Sequence, residues 1–211
     1  DGWTNAPGFT NWLMARGTTG VDVHASSMSL GTPSGTGAGY RISNGDAAWP
    51  FTGSVDSFSL IFETTNGSSR IAQTGLGNAS GVPFFVIGGN LASWSFTPAS
   101  GTAITGGTIG SGYQNFDAKL DVNLVAGTAS FSVGTQNTGV FSPVTGMQNM
   151  SLNLPNGFVA SDFKSLYVTI RDQGQIDDIT IAAVAVPEPA TMALLGIAGL
   201  CLLPLVRRRG S

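Results

Sequence analysis

Histidine occurs once in this 211-residue chain, at His24; cysteine occurs once, at Cys201; glutamate occurs only at Glu63 and Glu188. Each scarcity removes a class of chemistry. A Ser–His–Asp relay would have to use His24, which lies in the alternating stretch VDVHASS, and there is no G-x-S-x-G nucleophile elbow. Lectin-fold glycosidases place two carboxylates close together on one strand, as in E-x-D-x-E, and no such cluster exists here. A single cysteine can form neither an internal disulfide nor a cysteine-based zinc site. The chain reads as a non-enzyme.

Charge is scarce as well. Charged residues make up 10% of the chain, against about 25% in an average protein. Six basic and eleven acidic residues precede Pro187, a net of −5, so the body has no basic stripe and nucleic acid is excluded as a partner. No repeat of fixed period marks a solenoid or a propeller.

What fills the chain instead is small and polar. Thirty glycines stand among many Ser, Thr and Asn residues, a composition typical of extracellular all-β domains. The sequence starts at Asp1 rather than Met, as expected if a secretory signal peptide has been removed. Length and composition suggest one extracytoplasmic domain over residues 1–185 and a separate tail over 186–211.

Periodicity in the body is mostly two, the period of a strand. SVDSFSLIFET (Ser54–Thr64) alternates apolar and polar residues. LDVNLVAGTASFSVG (Leu120–Gly134) reads as a hairpin turning at Ala126-Gly127-Thr128, with glycine supplying the backbone freedom. SLYVTIRD (Ser165–Asp172) and IDDITIAAV (Ile176–Val184) read as a second hairpin across Gln173-Gly174-Gln175. Further strands are expected in Val21–Leu30, Gly39–Ser43, Arg70–Thr74, Pro83–Ile87, Ala92–Thr97, Thr138–Phe141 and Met150–Leu154. Ser100–Ser111 reads as a loop or weak edge strand, and Thr10–Arg16 as a short helix or turn. The expected fold is all-β: an antiparallel β-sandwich, jelly-roll or lectin-like, followed by one C-terminal hydrophobic helix.

The tail differs from everything before it. Ala190–Val206 is an apolar run without a charge, preceded by Pro187, Glu188 and Pro189 and followed by Arg207, Arg208 and Arg209. As a helix it would reach about 26 Å, at the short end of what spans a hydrocarbon core of ~30 Å. The prolines suit the start of such a helix. The arginines would stay on the cytoplasmic side, leaving the body outside. Ala190, Leu194, Leu195, Gly196, Gly199, Leu202 and Leu203 would form its membrane-facing or assembly surface, the small residues allowing close helix packing. An uncut tail would have to bury itself, and copies of itself are the obvious partners, in an oligomer or a filament.

These parts, in this order, resemble the PEP-CTERM sorting signal. The resemblance rests on Val186-Pro187-Glu188-Pro189-Ala190-Thr191, the small-residue-rich apolar run with Leu195-Gly196, and the closing arginines. It covers about the last twenty-five residues, and the body resembles no named family. The resemblance implies a Gram-negative, biofilm- or sheath-forming source and export by the Sec route. It further implies transient anchoring in the inner membrane, processing by exosortase near Pro-Glu-Pro, and release to the cell surface or matrix, often as a glycoprotein.

Within the body the candidate sites are sparse. Asp177 and Asp178, with Asp172, Asp117 and Asp121 as further carboxylates, either line a calcium site or sit at a strand start with their charges in water; the second is the plainer reading. Trp49 and Trp94 are candidates for stacking on sugar rings, against the plainer reading that they fill the core. Asn66, Asn78 and Asn149 head N-x-S sequons in loop-like settings and are candidate glycosylation sites. Two functions remain: a surface or matrix structural protein that can self-associate, and a polysaccharide-binding module.

Overall fold

The computed structural model describes residues 3–5, 14–15, 21–25, 36–43, 49–65, 71–90, 93–107, 109, 115–171 and 175–185, with side chains given for most of those from 49 onward. The described residues form fifteen strands: β1 (Trp3–Asn5), β2 (Met14–Ala15), β3 (Val21–Ala25), β4 (Thr36–Ser43), β5 (Val55–Thr65), β6 (Ile71–Gly77), β7 (Pro83–Asn90) and β8 (Ser93–Thr97), then β9 (Ile104–Thr105), β10 (Asn115–Asn123), β11 (Thr128–Thr135), β12 (Phe141–Pro143), β13 (Met150–Ser151), β14 (Ser165–Arg171) and β15 (Gln175–Ala185). Short 3-10 turns at Pro50–Thr52 and Ala160–Asp162 precede β5 and β14.

Two antiparallel sheets result. One runs β1-β4-β14-β6-β7-β8-β9, the other β12-β11-β10-β5-β15-β3-β2, with β13 also paired to β11. Two of the edge strands are short: β12 has three residues and β9 two. This is the β-sandwich expected from the period-two pattern.

The alternation dictates the packing, because successive residues of a strand point to opposite faces. In β10, Phe116, Ala118, Leu120 and Val122 are buried, while Asp117, Lys119 and Asp121 between them are partly exposed. The register with β5 sets Leu120 opposite Leu60 and Val122 opposite Phe58, so apolar residues meet on one face. On the β11 side, the turn over residues 124–127 closes with Asn123 opposite Thr128, and Gly127 takes φ +66°. That left-handed backbone suits glycine.

Aromatic rings fill the space between the sheets. Trp94 of β8 stacks on Phe131 of β11 with centroids 4.8 Å apart, and meets Phe116 of β10 edge-on at 5.7 Å. Phe58 of β5 lies 6.3 Å from Phe85 of β7. At one end of the sandwich Phe163 gathers Phe51, Phe58, Phe84 and Phe158 within 5.7 Å. Two buried hydroxyls are satisfied by backbone: Thr74 Oγ1 donates to the Tyr167 carbonyl and Ser165 Oγ to the Asn78 carbonyl.

Several expectations are corrected. β14 and β15 do not form a hairpin. β14 sits between β4 and β6 in one sheet, β15 between β5 and β3 in the other, so the chain crosses the sandwich between them. Each is a central strand needing partners on both sides, and those partners are in different sheets. The strand expected at Thr138–Phe141 begins only at Phe141, because Thr138 is held in a turn by the Thr135 carbonyl. Met150–Leu154 shortens to the two residues of β13. In Thr10–Arg16, Met14–Ala15 is a strand paired with β3, not a helix; the remainder of that segment lies outside the described residues. The expected C-terminal helix also lies outside them.

Candidate functional site

The junction between sandwich and tail is built on β5 and β15. β15 pairs with β5 along its length and ends at Ala185, opposite Val55, the first residue of β5. Val55 is buried, and the turn before it seats Phe51 in the aromatic cluster. The last strand is therefore held in the sheet up to the residue where the tail begins. Beside this exit lies an open cleft of about 490 Å³ lined by Val55, Leu124, Val125, Phe158 and Val159 among others.

A second feature is polar. The outward residues of β5, β10 and β11 line a shallow groove of about 290 Å³ that includes Ser57, Ser59, Asp121, Asn123, Thr128, Ser130 and Asn149. Register explains the grouping: Asp121 stands between Ser59 and Ser130, and Asn123 between Ser57 and Thr128. Ser59 Oγ donates to Asp121 Oδ1 at 2.5 Å, and Lys119 Nζ reaches the same oxygen at 2.9 Å. Lys119 also lies 5.6 Å from the centre of the Phe141 ring. The groove offers hydroxyls, amides and one carboxylate, but no exposed aromatic face.

At the far end of the same sheet, Asp117 and Asp177 both stand opposite Glu63 in register. Glu63 accepts from Gln136 Nε2, and Asp117 Oδ2 accepts from the Asn137 amide at 2.9 Å. Asp177 and Asp178 fall where the pairing of β15 with β5 slips, between Asp177 and Thr180. Their side chains, and the whole of Asp172, lie outside the described residues. Among the described residues no three His, Cys, Asp or Glu side chains are arranged to hold a metal ion.

The tryptophans are corrected outright. Trp94 is 0% exposed and Trp49 3%, so neither offers a ring face to a sugar. Trp94 is sandwiched between the sheets, and Trp49 Nε1 donates to the Phe163 carbonyl at 2.8 Å. Two of the three sequon asparagines are described. Asn78 Oδ1 accepts from the amides of Ser80 and Val82, closing the β6–β7 turn. Asn149 is exposed with φ +53°, its backbone amide bonded to Ser130 Oγ. Asn66 lies outside the described residues, as do the tail residues Pro187–Arg209. Among the described residues no helix is long and apolar enough to cross a membrane. The sequence alone gave no sign of the groove or the cleft, since both are made by register between strands far apart in the chain.

The segment that continues from the last strand settles what the tail is. Residues 185–209 match the PEP-CTERM protein-sorting motif. The motif implies export and membrane-transient sorting by exosortase, and it starts at Ala185, the final residue of β15. No curated protein matches the sequence. Among solved structures, the chain is similar to the GH43 protein BlXynB from Bacillus licheniformis, with 7% identity, TM-score 0.42, and 61% of this chain covering 28% of that one. It is also similar to the carbohydrate binding module CBM66 from Bacillus subtilis, with 11% identity, TM-score 0.41, and coverage of 86% of this chain and 95% of that one. A third is galectin LEC-6 from Caenorhabditis elegans, with 7% identity, TM-score 0.38, and coverage of 61% and 84%. At such TM-scores nothing of those proteins' chemistry carries over.

Proposed function

We propose that this chain is a non-enzymatic structural protein of the cell surface or extracellular matrix, exported and then sorted through its C-terminal tail. The observation that carries the reading is the junction: the last strand of the sandwich ends at Ala185, where the sorting motif begins. Such a junction lets a fully folded domain be held by the tail and released from it by one cut. The scarcity of histidine and glutamate supports a non-catalytic role. Polysaccharide binding is the weaker alternative, because its expected tryptophans are buried.

Intact-mass spectrometry of protein recovered from native cell-surface material, with electron microscopy of the same fraction, tests this. A mass ending near Pro187–Ala190 is the expected result. A mass that includes Arg207–Ser211, in protein forming ordered assemblies, would overturn cut-and-release and make the tail the core of an oligomer or filament.

A further inference from the structure

Four large apolar side chains are exposed among the described residues: Val82 (59%), Val125 (76%), Val140 (71%) and Val159 (54%). Three of them share one end of the sandwich, and it is the end where β15 stops. Val125 lies in the β10–β11 turn, which is tied to the start of β5 by the Leu124 amide donating to the Asp56 carbonyl at 2.8 Å. Val159 precedes the 3-10 turn at Ala160–Asp162 and lines the same cleft as Val55 and Val125. Val82 belongs to the β6–β7 turn beside Phe84, whose ring meets Phe158 edge-on at 4.9 Å. Val140 stands at the opposite end, in the link from β11 to β12.

We infer that this end is a lipid-docking surface, seated on the bilayer while the tail is inserted. The inference rests on the membrane-sorted reading of the tail and adds an orientation to it. The tether supplies the main argument. The five steps from Ala185 to Ala190 reach at most about 18 Å even when fully extended. Once the run starting at Ala190 enters the hydrocarbon region, the Val55 end of the sandwich is held within about 18 Å of it, in or next to the headgroup layer. Among the described residues, Val140 and the pair Glu63 and Asp117 stand at the other end of the same sheet and are held farther away.

The chemistry of that end suits the confinement. Exposed valines spaced around a cleft partly lined by Leu124 and Phe158 are side chains that gain by leaving water. Charge is placed to match. Glu63, Asp117 and the register position of Asp177 lie at the opposite end of the sheet, away from the bilayer. Among the described residues the docking end carries exposed Asp56 and Lys164, of opposite sign, and Asp162, whose carboxylate is engaged by the Val159 amide. Contact would thus be mainly apolar and little affected by salt.

The test uses the full chain reconstituted in vesicles of phosphatidylethanolamine and phosphatidylglycerol, with a nitroxide quencher carried on the lipid. Cys201, the sole cysteine, is labelled first with an environment-sensitive fluorophore and reports whether the tail is inserted. Single labels are then placed through Val82→Cys, Val125→Cys, Val159→Cys and Val140→Cys in a Cys201→Ser background. The expected result is strong quenching at position 201 and several-fold more quenching at positions 82, 125 and 159 than at 140. Quenching at 201 with equal, weak quenching at all four valine positions would overturn the docking surface and leave the sorting reading intact. A blue shift at 125 and 159 without lipid quenching would overturn it in favour of a second copy or the tail itself. No quenching at 201 would remove the membrane-inserted tail and the docking surface with it.

Discussion

The indole nitrogen of Trp49 donates to the carbonyl oxygen of Phe163, 2.8 Å away and 114 residues along the chain. The bond ties the segment leading into β5 to the segment leading into β14, one strand from each sheet. Trp94 is also buried, and its Nε1 has no partner among the described residues.

The two indoles should therefore respond differently to the same change. Trp49→Phe leaves a buried carbonyl without its donor and should cost about 1–3 kcal/mol. Trp94→Phe removes a donor that gains nothing, so it should cost less than Trp49→Phe, whereas Trp94→Ala should cost about 3–5 kcal/mol. Urea denaturation midpoints at unchanged slope would read the difference. Equal losses for the two Phe variants would mean that a buried water already serves Trp94.

Gly75 is a position where packing admits no side chain. A methyl group there would overlap the Phe85 carbonyl oxygen on the neighbouring strand, while at Gly53 it would meet nothing within 4 Å. Gly75→Ala should destabilise by about 1–3 kcal/mol or more, and Gly53→Ala should be close to neutral. Thermal melts of both variants compare them directly.

The tail should be dispensable for folding, and β15 should not. A chain stopped after Pro189 retains every described strand and should unfold at the same midpoint as the full chain. One stopped after Arg171 loses β15 from between β5 and β3 and with it the buried Ile176, Ile179 and Ile181. That chain should fail to give a cooperative transition. Limited proteolysis and circular dichroism would decide.

Where the chain passes through an N-glycosylating pathway, Asn149 should be modified in preference to Asn78. The Asn78 side chain is held by two backbone amides, whereas Asn149 is exposed at a groove. Glycopeptide mapping that found Asn78 the better acceptor would mean that its turn opens readily.

Local signals in the sequence carried much of the fold. The alternation in Ser54–Thr64 and the glycine at the β10–β11 turn identify strands whose neighbours lie close in the chain or whose faces differ in polarity. The separation of β14 from β15 is of another kind. A short glycine-containing link looks the same whether the chain turns back within a sheet or crosses to the next, and only competition among distant strands decides. The tryptophans failed for a related reason: Trp49 follows a loop-like Asn-Gly-Asp stretch, but its burial depends on Phe163, far along the chain. The tail was legible because its signal is linear, a proline pair, an apolar run and arginines read in order. The groove at Asp121 was not, because Ser59, Asp121 and Ser130 become neighbours only through register.

At one edge of each sheet the outermost strand, β9 or β12, is only two or three residues long. Unpaired edges invite strand addition when they are long and flat, and brevity is one way proteins blunt them. Copies brought close together would find no extended backbone ladder on β9 or β12 on which to grow. Neighbours can lie side by side without zipping into a shared sheet, so each remains free to be arranged by what holds its ends.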